Sequence, residues 1–200
     1  MSAAMTPPTP STRAFTLEEF IELPERDQYE LVRGRLVEQT MSLESQWVAG
    51  EVYGHLREYV RSHHLGRVYP DGTTYQCFNA LPNDPFLVRR PDCSFIRKGR
   101  VSTEQYKSGF CRVVPDLVVE VISPTDVYRN VQQRVHEFRE AGCPLIWVID
   151  PDSRSALVYR SDHSVSEVGE DGFLDGGDTI PGFSVRLSDV LTEPRTEGML

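Results

Sequence analysis

Two hundred residues, 39% of them hydrophobic and 26% charged, suit one domain with a sizeable core. No apolar run approaches the length of a membrane span, and a formal charge of −9 argues against a protein that coats nucleic acid by overall charge alone. The charge is polarised, however. Seven basic residues stand against Asp92 and Glu104 over 89–112, and eight acidic residues against Arg154 and Arg160 over 150–178, so one face could still meet phosphates.

Residues 1–14 are small, polar and Pro-rich, with no basic or apolar block of a secretory signal. They read as a disordered tail, followed by a single domain over 15–192 and a second tail over 193–200. Thr16 to Glu19 has capping-box spacing and opens a short helix that Pro24 stops. In 29–38, YELVRGRLVE, two apolar runs flank Arg33-Gly34 and predict a tight hairpin, with Glu30 on the face of Val32 and across from Val37. Residues 46–65 form an amphipathic pattern with Val48, Val52, Leu56, Tyr59 and Val60 on one stripe, closed by Gly66.

Strands are expected near 67–70, 73–79 and 86–89, and RPDCSFI (90–96) alternates with Asp92, Ser94 and Ile96 on one side. Residues 98–113 read as a polar, basic loop. PDLVVEVISP (115–124) contains a strand over 116–122 with the character of a sheet interior, except that Glu120 sits in its middle. Asp126 or Thr125 caps a helix from about 127 to 141, which Gly142 ends. LIWVID (145–150) is another buried strand, and ALVYR (156–160) is its hairpin partner. Strand, helix and strand over 116–150 have the length of a parallel crossover. The remainder reads as short β segments and a last turn of helix. The fold class is α/β in the loose sense (α+β), a mixed central sheet flanked by helices.

Cys77, Cys93, Cys111 and Cys143 form no C-x-x-C pair and have no histidine at metal-finger spacing, so they are expected to be free thiols in a reducing cytoplasm.

Three carboxylates fall in apolar surroundings: Glu30, Asp92 and Glu120. Burying an ionised carboxylate without a partner costs several kcal/mol or more. Asp116 shares Glu120's strand face but lies about 13 Å along it, too far to share one ion, so it reads as a residue at the start of the strand. Asp92 comes from another strand and can lie beside Glu120 if the two strands pair. Converging carboxylates stay ionised when a cation sits among them, and oxygen donors suit Mg²⁺ or Mn²⁺. The alternative is a structural ion pair between Glu120 and one of nineteen arginines. Arg134 is well placed for either reading. It is three residues after Val131 and four before Phe138, on the inward side of its helix.

YELVRGRLVE, RPDCSFI, PDLVVEVISPTD and FREAGCPLIWVIDP occur in the order and rough spacing of the Uma-two family, and IPGFSVRLSDVL resembles that family's ending. The family is grouped with restriction endonucleases in the PD-(D/E)XK nuclease superfamily, and the resemblance covers roughly residues 15–192. It implies a restriction-endonuclease-like core preceded by a helix and hairpin. It also implies that Asp92 and Glu120 are metal ligands, the Val121 carbonyl a third ligand, and Glu30 the acidic residue contributed near the N-terminus. The superfamily lysine two residues after the second acid is replaced here by Ile122. In this family that lysine has moved to the following helix, where this chain has Arg134, which keeps the charge but cannot give up a proton. Gln46 stands where the family often carries a histidine, and the two lysines, Lys98 and Lys107, lie in the basic loop.

The leading expectation is therefore a Mg²⁺- or Mn²⁺-dependent endonuclease acting on DNA. Asp92 and Glu120 hold the metal, Glu30 orients water or a second ion, and Arg134 stabilises charge on the phosphate. The basic stretch 89–112 approaches the backbone, and a homodimer engages both strands. A catalytically silent nucleic-acid-binding or regulatory module on a nuclease fold is the alternative. A third possibility is a structural or interaction domain in which Glu120 and Arg134 are an ion pair and no metal binds.

Overall fold

The computed structural model describes residues 14–191, apart from 80, 82, 83, 85 and 108, so the expected terminal tails lie outside the described residues except for Ala14. The capping box at Thr16 does open a helix, α1 (Leu17–Ile21), with Glu19 N–H donating to Thr16 Oγ1 and Thr16 N–H to Glu19 Oε2. The hairpin follows as β1 (Tyr29–Val32) and β2 (Arg35–Glu38), in a register that sets Glu30 opposite Val37. Arg33 and Gly34 take positive φ values of 50° and 71°, the backbone that a two-residue hairpin turn requires.

The amphipathic helix α2 runs Leu43–Ser62, capped by Ser42, whose hydroxyl accepts from Ser45 N–H. It starts three residues earlier than the apolar pattern suggests, because the polar Ser42 supplies the stop. Gly66 does not close it. His64 takes the left-handed turn at φ 55°, and Gly66 opens β3 (Gly66–Pro70). Its missing Cβ matters there, since one would overlap the Ile96 carbonyl oxygen on the adjoining strand. Next come β4 (Cys93–Arg97), α3 (Thr103–Tyr106), β5 (Leu117–Val121), α4 (Tyr128–Glu140), β6 (Leu145–Asp150) and β7 (Ser155–Arg160). The chain ends with β8 (Val165–Gly169), β9 (Phe173–Asp175), β10 (Ser184–Arg186) and α5 (Leu187–Val190).

Six strands form one mixed sheet in the order β3-β4-β5-β6-β7-β8. The β5–β6 pair is parallel, joined by α4 as the crossover length requires, and the other pairs are antiparallel. Strand alternation then splits the core in two. Cys93, Phe95, Leu117, Val119 and Trp147 pack beneath the Val48–Val52–Leu56–Val60 stripe of α2. Ile96, Val118, Ile146 and Val148 face Val131, Val135 and Phe138 of α4. A smaller cluster of Leu17, Phe20, Leu31, Val88 and Phe110 binds the N-terminal helix and hairpin to the body.

Residues 73–79 and 86–89 are not strands. Tyr75 exchanges backbone hydrogen bonds with Arg89, but the next amide, Gln76 N–H, goes to the Cys111 carbonyl. Consecutive residues bond different neighbours, so no ladder propagates. Two further expectations are corrected. The basic loop contains α3, capped by Ser102. The N-cap of α4 is Val127, without a side-chain bond, because Asp126 Oδ2 accepts from Ser123 N–H instead.

Candidate active site

The register Cys93↔Val119, carried one residue further, sets Asp92 opposite Glu120. Alternation puts both on the α4 side of the sheet, with Ser94 and Val118. Asp92 Oδ2 accepts a hydrogen bond of 2.6 Å from Val121 N–H. The N–H and C=O of one strand residue point to the same side, so the Val121 carbonyl also faces the β4 side. Burial pushes the Asp92 carboxyl well above the usual carboxylate range. The Glu120 charge adds to this, and the Val121 amide and Arg134 oppose it.

Glu120 is 3% exposed. Arg134 Nε lies 2.9 Å from Glu120 Oε2, and Arg134 Nη2 lies 3.4 Å from Asp126 Oδ1. The approach to Glu120 is close, but its N–H direction does not make a hydrogen bond, and Glu120 Oε1 is buried with no hydrogen-bond partner. Burial raises the Glu120 pKa to about 7, against the pull of Arg134. The Arg134 pKa is itself raised, first by Glu120, so this guanidinium stays charged.

Glu30 is fully buried and has both oxygens engaged. Arg89 Nη1 donates to Oε2 at 2.6 Å, and the Arg90 amide donates to Oε1 at 2.8 Å. The other edge of the Arg89 guanidinium meets Glu137 Oε2 at 2.7 Å from Nε and 2.6 Å from Nη2, and Gln133 donates to Glu137 Oε1. Burial alone would lower the Arg89 pKa, yet the two carboxylates together raise it. Glu30 still acts on the neighbouring groups, raising both Glu120 and Arg134. The structure thus brings Glu30, Asp92, Glu120 and Arg134 into one electrostatic neighbourhood, with Glu30 held by cations of its own.

Sequence reasoning missed Arg89, Glu137 and Asp126. A signal existed for Glu137, which follows Arg134 by three residues and so shares the inward side of α4. Nothing local marked Arg89 as its partner. The basic stretch 89–112 does not form one cationic face either. Arg89 is spent on carboxylates, Arg100 donates to Asp116 at 2.6 Å, and Arg97 reaches the Asp178 and Thr179 carbonyls. Asp116 takes Arg97 N–H and Arg100 at the start of β5, as its distance from Glu120 required.

Two carboxylates and a backbone carbonyl, one carboxylate oxygen being buried and unpartnered, fit a hard divalent cation that keeps most of its waters. Among the described residues no group of three or more His, Cys, Asp or Glu side chains could hold a metal, so the carbonyl and water must complete the set.

The site thus sits at the ends of two adjacent central strands of a mixed sheet covered by helices on both faces. A crystal structure titled as a "putative nuclease belonging to DUF820" from Anabaena variabilis is similar to this chain, with a TM-score of 0.74 and 19% identity, covering 88% of this chain and 97% of that one. The sequence matches the Uma2 family, described as "Putative restriction endonuclease", over residues 17–188, and the chain belongs to that family. No curated protein matches it.

Proposed function

We propose that this protein is a Mg²⁺- or Mn²⁺-dependent endonuclease that hydrolyses phosphodiester bonds in DNA. Family membership supports a nuclease-type activity. The observation that carries the finer reading is the pairing of Asp92 with Glu120 on adjacent strands, Glu120 Oε1 being buried and unpartnered. A metal held by Asp92, Glu120 and the Val121 carbonyl would polarise the phosphate and acidify a water. Arg134 places a permanent cation beside that centre, where negative charge builds on the phosphate oxygens. It cannot act as the proton acceptor. Glu30, fixed by Arg89 and the Arg90 amide, serves by its field on Glu120 and Arg134 rather than as a ligand. A homodimer would bring two such sites to the two strands of a duplex. The free cysteines suit a reducing compartment such as the cytoplasm.

The close Arg134–Glu120 pair favours one second reading, a silent nucleic-acid-binding module in which the arginine takes the place of the metal's charge. Calorimetry with Mn²⁺ separates the two. The parent should give a binding isotherm that Glu120→Gln and Asp92→Ala lose, and its plasmid-nicking activity should disappear with it. Variants that nick as fast as the parent would sink the catalytic assignment, and DNA binding without any metal isotherm would select the second reading.

A further inference from the structure

At the other end of β4 from Asp92 lies a groove of about 730 Å³ between the C-terminal turns of α2, the edge strand β3 and the loop after β4. Its basic lining is Arg57, Arg61, Arg67, Arg97 and Lys98, with His64 beside them, and among the described residues that line it none is acidic. Arg57, Arg61, Arg67 and Lys98 are exposed, and none of them has a carboxylate partner among the described residues. Arg67 is packed over the Tyr106 ring, 4.5 Å from its centroid, which holds one guanidinium at the wall of the groove.

We infer that this groove binds the phosphodiester backbone of a DNA duplex, outside the segment that is cut. Arg57 and Arg61 are one helical turn apart, with Cβ atoms about 5–6 Å from one another, so both point to the same side of α2. Lys98 extends the row from the opposite wall. From Asp92 to Arg97 the strand spans about 16 Å, which corresponds to roughly five base pairs of rise along a duplex. Arg57 and Arg61 stand on α2, over the face of the sheet opposite Asp92, so a duplex that meets both passes around the β3 edge. Part of this charge has a more ordinary use, because Arg61 lies in the last turn of α2 and complements its dipole. A helix end carries only about half an elementary charge, which leaves most of the cluster unspent. Glu58 borders an adjoining shallow groove with Arg57 and Arg61 and weakens the field on that side only. The interior arginines cannot do this work, since Arg89 and Arg134 already face carboxylates.

The inference rests on the DNA reading above, but its readout is binding without divalent ions. Fluorescence anisotropy of a labelled duplex of about two helical turns, in EDTA, is followed across a salt series. Each lost phosphate contact lowers the slope of log K against log salt by about 0.9, so Arg57→Gln/Arg61→Gln/Lys98→Gln should lower it by about 2.7 and weaken binding on the order of 10²-fold near 0.1 M salt. The single Lys98→Gln, in an exposed loop, should lower it by about 0.9 without any question of folding. Lys107→Gln/Arg112→Gln removes two charges beyond the groove and should leave the slope as it is. Asp92→Ala should abolish nicking and keep the parental slope, so a failure of the catalytic assignment leaves this one standing. A triple variant with the parental slope overturns the groove, as does a parent that binds no duplex. Equal competition by polyglutamate would make it a general anion patch and overturn it too.

Discussion

Arg89 offers the sharpest test of how the interior is held. It is 5% exposed, and its two edges neutralise Glu30 and Glu137, which are 0% and 7% exposed. Arg89→Met keeps much of the side-chain volume and strands both carboxylates away from water. Removing one partner of a buried pair costs about 3–5 kcal/mol, and two stranded acids place this variant at the upper end. For a domain of this size, each kcal/mol lowers Tm by about 2–4 °C, so a fall of roughly 10–20 °C is expected. Urea denaturation at pH 7 gives the free energy directly. The decisive companion is Arg89→Met/Glu30→Gln/Glu137→Gln, in which no charge is left unpaired. It should recover most of the loss, because a neutral network of similar shape avoids the desolvation penalty. If Arg89→Met unfolds within about 1 kcal/mol of the parent, or the triple variant is no more stable than the single one, the network is not what stabilises this region.

Three other outcomes follow from the structure. Glu120 has its pKa raised from 4.5 to about 7, so the folded state holds the proton more tightly. Its contribution to stability is fully present below pH 4.5 and is lost as pH rises through about 7, by roughly 3 kcal/mol at most. Glu120→Gln should flatten the stability profile between those limits in metal-free buffer, and an unchanged profile would refute the assignment. Arg134→Met should slow plasmid nicking by about 10²–10³-fold while Arg134→Lys keeps most of the rate, and equal rates for the two would show that no charge is needed there. Gly66→Ala should destabilise by about 1–3 kcal/mol in urea, since its Cβ would overlap the Ile96 carbonyl oxygen across the β3–β4 pair.

What the sequence conveyed well was anything with a local period or cap. Thr16, Arg33-Gly34, the stripe of α2 and the strand runs around Glu120 and Trp147 all specify their elements through neighbours a few residues away. The segments 73–79 and 86–89 misled because alternation reports a half-buried backbone and not a ladder, and Tyr75 bonds Arg89 while its neighbours Thr74 and Gln76 bond Cys111. At the site, the juxtaposition of Asp92 with Glu120 could be anticipated from two strand patterns, and Arg134 from its place on the stripe. The pairing of Glu30 with Arg89 could not. It joins residues far apart in the chain across a hairpin and an irregular segment, and no periodicity encodes such a contact. Ser42 as the cap of α2 was legible in principle, but the apolar stripe, which begins later, drew the boundary inward.

Formal charge was the least informative quantity, for a reason the structure makes physical. The basic residues divide into those that answer a buried acid and those that do not. Arg89, Arg100 and Arg134 are bound to Glu30, Glu137, Asp116 and Glu120, so they cancel charge where it would be most costly and add nothing to the outer field. Arg57, Arg61 and Lys98 are exposed without a carboxylate partner among the described residues, and only cations of that kind can release counterions from a phosphate backbone. Much of the acidic excess of 150–178 lies on and around the hairpin β7–β8, at the far edge of the sheet from β3, although Asp178 comes back beside Arg97. A strand order that puts most of the acidic edge far from β3 lets a protein of net negative charge carry a locally basic face, and if DNA binds the groove as proposed, the duplex should approach from the β3 side.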